Sequence, residues 1–160
     1  MTKIVVLGAG LIGRPMAIDL AKQTEYEVTL VDFDEKKLDR IHPDLGIKTK
    51  SADLSRQDSV QEVVAGFDYV ISAVPGFMGF DTVKEIIKAG KDVVDIAFFP
   101  EKPYELDTLA KEHNVRCIVD CGVAPGMSHV LTGYLEHYFD ELENAVIYVG
   151  GLPKTREWPY

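Results

Sequence analysis

Short apolar runs alternate along the chain with segments in which apolar residues recur every three or four positions. The runs are rich in β-branched residues and lack a polar face, which is typical of strands buried inside a parallel sheet. A weaker run of the same kind lies at Ile47–Ala52. The clear runs are Ile4–Leu7, Val28–Val31, Tyr69–Ala73, Val93–Ile96 and Val115–Val119.

The segments between these runs have the apolar spacing of amphipathic helices. Strands and helices in alternation imply right-handed βαβ units, with helices covering both faces of one sheet. Six strands arranged in this way predict a doubly wound parallel α/β fold of the Rossmann type. The clearest helical stripes are Val60/Val63/Val64/Phe67, Val83/Ile86/Ile87/Gly90 and Leu106/Leu109/Ala110/His113.

The pattern changes after residue 119, where Asp120–Met127 forms a loop with a Pro-Gly turn signal. Ser128 has the chemistry of a helix N-cap, and a further strand is predicted at Ala145–Val149, before the sequence Gly150-Gly151-Leu152-Pro153. We therefore expect one domain over residues 1–122 and the first helix and strand of a second α/β domain over residues 123–160. The helix between them would present Leu131, Tyr134, Leu135 and Tyr138 on one face.

A glycine motif follows the first predicted strand and opens the first predicted helix. Its spacing is G-x-G-x-x-G, formed by Gly8, Gly10 and Gly13 with Leu11 and Ile12 between the last two. In a dinucleotide site the first glycine makes the tight turn, the second lets a pyrophosphate approach, and the third lets helix and strand pack closely. The helix N-terminus then offers free N–H groups to the phosphates. We assign all five residues to a cofactor site.

An acidic residue ends the second predicted strand, as a dinucleotide site requires. Asp32 stands 19 positions after Gly13, and Phe33 follows it. A carboxylate there accepts both ribose hydroxyls of the adenosine and repels a 2′-phosphate, so Asp32 favours NAD over NADP. We place Asp32 and Phe33 at the adenosine end of the cofactor, while Asp34 is expected to cap the next helix.

Further candidates lie at the carboxyl ends of the other strands, where open α/β sheets bind ligands. Asp53 and Leu54 would either flank the adenine or form a helix N-cap region. Ser72-Ala73-Val74 would let the central riboses lie on the backbone. Asp95 and Cys121 fall near the nicotinamide, where Asp95 is either an orienting acid or a buried structural one. Cys121 is favoured as a packing residue, so catalytic residues stay unassigned.

Composition and charge exclude some partners. The net charge of −9 argues against nucleic acid and anionic membranes, which bind basic patches. No apolar stretch is long enough for a transmembrane helix or a secretory signal. The two cysteines form neither a disulfide framework nor a zinc site, and no other spacing suggests a metal. We expect a cytoplasmic protein with a small-molecule substrate.

Three longer phrases resemble the saccharopine dehydrogenase-like family, with L-lysine 6-dehydrogenase as the nearest branch. They are VVDIAFFPE at Val93–Glu101, DCGVAPGMSHVL at Asp120–Leu131 and YVGGLP at Tyr148–Pro153. The resemblance implies an NAD(P)-dependent oxidoreductase that transfers a hydride at an amine-bearing carbon of a lysine-like amino acid, and Asp32 favours NAD as its cofactor. It also implies a homodimer when full length, with this chain as mainly the cofactor-binding part and inactive by itself.

Two other classes of protein share the glycine motif. Single-unit nucleotide sensors have similar first strands, but they have no need of the phrases above. Short-chain dehydrogenases need Tyr-x-x-x-Lys, which is absent, because Tyr26, Tyr104 and Tyr134 are followed four positions later by Leu30, Thr108 and Tyr138. A non-enzymatic NAD sensor is therefore the alternative to the enzyme.

Overall fold

A computed structural model describes residues 1–150 as a parallel sheet covered by helices on both faces. The sheet has six strands in the order β3-β2-β1-β4-β5-β6, which confirms the predicted doubly wound Rossmann fold. β1 has β2 on one side and β4 on the other, so the direction in which successive strands are added to the sheet reverses at β1. The strands are β1 Thr2–Leu7, β2 Tyr26–Asp32, β3 Lys48–Ser51, β4 Tyr69–Ser72, β5 Asp92–Asp95 and β6 Cys117–Ile118.

Helices follow the strands as the apolar stripes predict. Two 3₁₀ helices, Pro43–Leu45 and Pro103–Leu106, interrupt the connections before β3 and before the fifth α-helix. The α-helices are α1 Gly13–Leu20, α2 Glu35–Leu38, α3 Gln57–Val64, α4 Gly76–Lys88, α5 Asp107–Glu112 and α6 Met127–Glu136.

The core has two clusters, one on each face of the sheet. Successive side chains of β1 point to opposite faces, so Val5 and Leu7 join one cluster while Val6 joins the other. The first cluster contains apolar residues of α3, α4 and α5, and the second contains Ala17 of α1 and Leu38 of α2. Burial on both faces explains why β1 and β2 appear in the sequence as continuous apolar runs, whereas the edge strand β3 is exposed along its whole length.

Helix α1 begins unusually close to the sheet, because two glycines leave room for it. Gly8 has φ +101°, and a Cβ there would lie 2.6 Å from the carbonyl oxygen of Ala73. A Cβ on Gly13 would overlap the carbonyl oxygen of Gly8 and lie 3.1 Å from the Cβ of Ala73. The third glycine of the motif is therefore required by packing between helix and strand.

The segment after β6 differs from its prediction in two respects. Helix α6 begins at Met127 with Gly126 as its N-cap, so the assignment of Ser128 as N-cap is wrong. The Nδ1 atom of His129 accepts a hydrogen bond from the Gly126 N–H at 3.2 Å, and this side chain takes the capping role.

The predicted strand at Ala145–Val149 is also wrong, since these residues form no strand. Within residues 1–150 no neighbouring strand pairs with them, and an isolated extended segment has no ladder of hydrogen bonds to stabilise it. No described residue after Ala110 is buried. Gly151-Leu152-Pro153, predicted to end this unit, lies outside the described residues.

Among residues 1–150, no helix combines the length and the apolar character needed to cross a membrane.

One buried carboxyl group, that of Asp95, lies beneath the carboxyl edge of the sheet. Asp95, at the end of β5, is fully buried, and its Oδ1 accepts a hydrogen bond from the Ala97 N–H at 2.8 Å. Its Oδ2 has no partner of good geometry among the described residues. Burial raises the pKa of Asp95 to about 6, although the Ser72 hydroxyl and the Ala97 N–H lower it.

Replacing Gly13 with alanine is expected to lower the free energy of unfolding by about 3 kcal/mol, because the new Cβ would overlap backbone that cannot move aside. Urea denaturation measures the change. Gly66→Ala is the matched control, since a Cβ there meets no atom within 4 Å. Its free energy of unfolding should stay within about 0.5 kcal/mol of the parent. Equal losses in the two variants would contradict the packing argument for α1.

Replacing Asp95 with asparagine is expected to stabilise the fold near neutral pH. The pKa of Asp95 rises from 3.8 to about 6 on folding, so its carboxyl favours the folded state most in acid, and this contribution is lost as the pH rises through that range. The gain on Asp95→Asn should reach about 2–3 kcal/mol near pH 7 and shrink toward pH 4. Urea denaturation at several pH values measures it.

Asp92→Asn, on the same strand, is the control, and its effect on the free energy of unfolding near neutral pH is expected to be opposite to that of Asp95→Asn. The backbone N–H of Arg116 donates a hydrogen bond to Asp92 at 2.7 Å, and this bond is the main cause that lowers the pKa of Asp92. The Arg116 guanidinium lowers this pKa further. Its contribution to stability is therefore present at neutral pH and lost in acid. A loss of stability near pH 7 in both variants would refute the assignment of Asp95 as a costly buried charge.

Candidate functional site

An open cleft of about 1000 Å³ crosses the carboxyl edge of the sheet. It extends from the end of β3 past β2 and β1 to the residues that follow β4 and β5. This is the switch point at which doubly wound sheets bind ligands. The lining residues are Gly8, Gly10, Ile12, Asp32, Phe33, Lys37, Asp53, Leu54, Ser55, Ala73, Val74, Pro75, Gly76, Phe77, Met78, Ile96, Ala97 and Phe98.

The glycine loop forms the middle of the cleft. Within the described part of the chain, the N–H groups of Gly10, Leu11 and Ile12 donate to no acceptor. Ile12 is the N-cap of α1 and has no side-chain capping bond. Free N–H groups and the positive end of the helix dipole favour a phosphate group here. A Cβ on Gly10 would meet no atom within 4 Å, so the loop leaves open space at its surface.

Asp32 ties this loop to the end of β2. Its Oδ2 accepts a hydrogen bond from the Ala9 N–H at 2.8 Å, and its Oδ1 accepts one from the Asp34 N–H at 2.9 Å. Both oxygens also lie 3.4 Å from the Nζ of Lys37. The residue is 5% exposed. Asp32 is thus a nearly buried carboxylate whose charge is compensated by its protein neighbours.

Lys37 and Phe33 complete this end of the cleft. The Phe33 ring is 70% exposed, and the Nζ of Lys37 lies 5.3 Å from its centroid. Lys37 is the single cation among the described cleft-lining residues. Lys37 was not among the predicted site residues, although a lysine five positions after the predicted ribose acid was a usable signal. Asp34 caps α2 as expected, because its side chain accepts a hydrogen bond from the Lys36 N–H.

Asp53 and Leu54 line the cleft beyond β3, next to Ser55. Asp53 Oδ1 accepts hydrogen bonds from the Ser55 hydroxyl at 2.6 Å and from the Ser55 N–H at 3.0 Å. Both bonds lower the pKa of Asp53, and the bond from the hydroxyl has the larger effect. The N-cap of α3 is Arg56. Asp53 therefore closes the turn before that helix while it also faces the cleft.

The opposite end of the cleft is formed by segments that follow β4 and β5. Ala73 and Val74 lie here as predicted, whereas Ser72 is fully buried beneath them. The start of α4 and the segment 96–98 were not predicted. A Cβ on Gly76 would overlap the carbonyl oxygen of Phe98, so these two segments pack directly on each other. Their position immediately after strand ends was the only sequence signal for them.

Other assigned residues lie near the cleft without lining it. Leu11 is 91% exposed at the loop tip, and Gly13 and Asp95 are buried below the cleft. Cys121 donates its N–H to the carbonyl oxygen of Asp95 at 3.0 Å. Partial burial, followed by the charge of Asp95, raises the pKa of the Cys121 thiol, which disfavours the nucleophilic thiolate. Burial likewise favours the structural interpretation of Asp95.

The cleft thus has the shape and donors for an elongated ligand with phosphate at its centre. Free amides lie in the middle, a charged pair and an aromatic ring lie at one end, and a mostly apolar wall lies at the other. Within residues 1–150, no group of three or more His, Cys, Asp or Glu side chains is arranged to hold a metal ion. What the arrangement can do chemically is hold a dinucleotide in extended form.

Known sequences and structures agree with this geometry. Residues 4–118 match the family described as the saccharopine dehydrogenase NADP binding domain. Saccharopine dehydrogenase (NADP+, L-glutamate-forming) of Saccharomyces cerevisiae is 26% identical over 161 residues, covering 96% of this chain and 35% of the yeast protein. Mitochondrial alpha-aminoadipic semialdehyde synthase of Mus musculus is 26% identical over 156 residues, covering 94% of this chain and 17% of the mouse protein. The chain spans about a third or less of these relatives.

Solved structures show the same fold. Apo saccharopine dehydrogenase (L-Glu forming) from Saccharomyces cerevisiae superposes with a TM-score of 0.77 at 24% identity, covering 86% of this chain and 31% of the yeast chain. Scyllo-inositol dehydrogenase from Lactobacillus casei with bound NAD(H) gives 0.66 at 21% identity, covering 86% and 41%. By the match over residues 4–118, the chain belongs to the saccharopine dehydrogenase family through its nicotinamide-cofactor-binding domain.

Proposed function

We propose that this chain is the cofactor-binding part of an oxidoreductase that transfers a hydride at an amine-bearing carbon of a lysine-like amino acid. The observation that supports it most is the cleft across the switch point, with the glycine loop at its centre. The relatives are named for saccharopine and for alpha-aminoadipic semialdehyde, which are amino-acid compounds. The family match favours this enzyme over the nucleotide-sensing alternative.

In the proposed reaction the carbon beside the amine loses a hydride to the oxidised nicotinamide. The nitrogen loses a proton, and the resulting imine is open to hydrolysis. The cofactor supplies this chemistry, while the protein binds and orients it. The glycine loop would hold the diphosphate, and Ala73, Val74 and the segment 96–98 would hold the nicotinamide half. The general base stays unassigned.

We propose NADP as the cofactor, in place of the NAD that Asp32 predicts. Two observations support this choice. The family description and the yeast relative both name NADP. In addition, each oxygen of the Asp32 carboxylate already accepts one backbone N–H and lies 3.4 Å from the Lys37 Nζ, so fewer lone pairs are left for ribose hydroxyls.

The remaining parts of the proposal concern the longer protein. Residues 123–160 would begin a second domain that supplies the substrate contacts, and this chain by itself would be inactive. Homodimer formation and a cytoplasmic location belong to the same proposal and follow from the resemblance and the composition. The apolar residues exposed on α6, Leu131, Tyr134 and Leu135, are consistent with a helix that packs on a further domain.

Gly10→Ala is expected to weaken binding of the dinucleotide without destabilising the fold. A Cβ on Gly10 has free space within the protein, but it would stand where the diphosphate must approach the backbone. Calorimetry should show affinity for NADP reduced roughly 10-fold or more, which equals about 1.4 kcal/mol. Gly66→Ala, away from the cleft, should bind as the parent does. Equal affinities in the two variants would place the diphosphate elsewhere.

The full-length protein is expected to reduce NADP+ in the presence of lysine or saccharopine. Appearance of the reduced nicotinamide absorbance measures the reaction. Scyllo-inositol serves as the control substrate, because a structural neighbour of the same fold is named for an activity on this alcohol. Turnover with the polyol and none with any amine would overturn the proposed substrate class while leaving the cofactor site intact.

A further inference from the structure

We propose that the buried carboxylate of Asp95 favours the oxidised nicotinamide ring, which is a cation, over the reduced ring, which is neutral, and so sets the relative affinity of the cleft for the two redox forms of the cofactor. The inference rests on the proposed function. Three observations lead to it: the place of Asp95 under the cleft wall, the incomplete pairing of its carboxyl group, and the lack of charged side chains on the described wall above it.

Asp95 lies directly below the wall of the cleft. It is the last residue of β5, and the segment that follows it, 96–98, lines the cleft. Its Oδ1 accepts the N–H of Ala97, a wall residue, at 2.8 Å. Asp95 is fully buried, and Ala97 is 3% exposed. The charge of Asp95 therefore acts on a ligand in the cleft through protein, which screens a charge much less than water does.

The carboxyl group of Asp95 is only partly compensated by its neighbours. Asp95 and Ser72 are paired positions of the parallel strands β5 and β4, so their side chains lie side by side on one face of the sheet. Both are fully buried, yet the Ser72 hydroxyl and the Asp95 Oδ2 have no partner of good geometry among the described residues. Asp32, by contrast, accepts a backbone N–H at each oxygen. An ionised Asp95 thus has a negative charge that a cation in the cleft would stabilise.

The described wall above Asp95 is uncharged. The cleft has three charged lining residues, Asp32, Lys37 and Asp53, and all of them belong to the segments that follow β2 and β3 or end β2. The residues that form the opposite end, 73–78 and 96–98, are all uncharged. On that part of the wall the carboxylate of Asp95 therefore has no counter-ion, and a cationic ring held there would be the group that balances its charge.

Asp95 changes its charge at moderate pH. Burial raises the pKa of Asp95 to about 6, and the negative charge of Asp120 adds to this rise. The charge of Asp95 also acts on Cys117 of β6 and on Cys121 after it. Burial, followed by that charge, raises the pKa of both thiols. Both thiols therefore stay neutral while Asp95 titrates.

Helix α4 packs on β5 and carries the charged residues Asp81, Lys84, Glu85 and Lys88. Its buried acid, Glu85, accepts hydrogen bonds from Lys88 at 2.7 Å and from Gln61 at 2.6 Å. Although burial raises the pKa of Glu85, these bonds bring it below its ordinary value, so Glu85 stays ionised while Asp95 titrates. A titration near pH 6 in the described part of this region therefore reports on Asp95.

The sign of the effect follows from the charges. A cation in the cleft favours the ionised carboxyl group, so the oxidised cofactor lowers the pKa of Asp95 and binding releases its proton. Affinity for the oxidised form should therefore rise as the pH increases through about 6, whereas affinity for the neutral reduced ring should show no such rise. Two unit charges on the order of 10 Å apart in a protein change a binding constant roughly 10-fold.

Asp95→Asn tests the assignment in the full-length protein, because asparagine keeps the shape of the side chain and removes its charge. Calorimetry measures the affinities for NADP+ and for the acid-stable tetrahydro analogue of NADPH between about pH 5 and pH 8. In the parent, the ratio of oxidised to reduced affinity should rise roughly 10-fold over this range. In Asp95→Asn it should stay constant within about twofold. The 2′-phosphate is common to both ligands, so its own titration cancels in the ratio.

Two control variants separate the charge of Asp95 from stability and from other acids. Asp92→Asn removes an acid at the other end of β5, and the ratio should depend on pH as in the parent. Asp120→Asn should shift the midpoint of the pH dependence downward and keep its amplitude, because it removes the charge that raises the pKa of Asp95. Asparagine also tolerates the φ of +58° at this position.

Every other outcome is decisive. A ratio that is independent of pH in the parent, or equally dependent on pH in Asp95→Asn, would overturn the proposal. So would an equal loss of affinity for both redox forms in Asp95→Asn, which indicates a packing role, or a pH dependence that only Asp120→Asn abolishes. A parent protein that binds neither form would overturn the proposed function first, and the inference with it. A parent that binds both forms but does not oxidise amines would leave the inference standing.

Discussion

A helix can begin directly on the end of the central strand only where its first residue has no side chain. Gly13 meets that requirement, because a Cβ there would overlap the carbonyl oxygen of Gly8. Much of the cleft depends on this approach. It places the N-terminus of α1 beside the sheet, where free amides are available to a phosphate. It also brings Ala17 into the core that covers one face of the sheet.

The second constraint is the charge of Asp32, which is nearly buried at the end of β2. A buried carboxylate is stable only when donors surround it, and here the donors come from the glycine loop, the residue two positions on, and Lys37. The same bond to Ala9 fixes the glycine loop, which would receive the diphosphate in the proposed function. The glycine loop and the start of α2 are thereby coupled through one side chain.

The fold and about half of the cleft could be predicted from the chain alone. Buried parallel strands appear as apolar runs, and the spacing of Gly8, Gly10 and Asp32 predicts the middle of the cleft and its end beside β2. Lys37 and the start of α4 were missed, because their side chains reach the cleft only through the packing of helices. The Ser128 cap and the Ala145–Val149 strand were wrong, since a local signal does not reveal whether a competing cap or a pairing strand exists.

The amino-acid sequence by itself determined the alternation of strand and helix, the place of the glycine turn and the acid at the end of the second strand. These depend on local spacing and on burial, which a single chain displays directly. Tertiary structure alone decided what that acid does. A carboxylate at the right spacing suggests that it binds a ribose. Only the fold, which brings Ala9, Asp34 and Lys37 next to Asp32, shows which donors its oxygens contact. Which donors bond to a carboxylate depends on the residues that the fold brings next to it, and the spacing of residues along the chain does not reveal this.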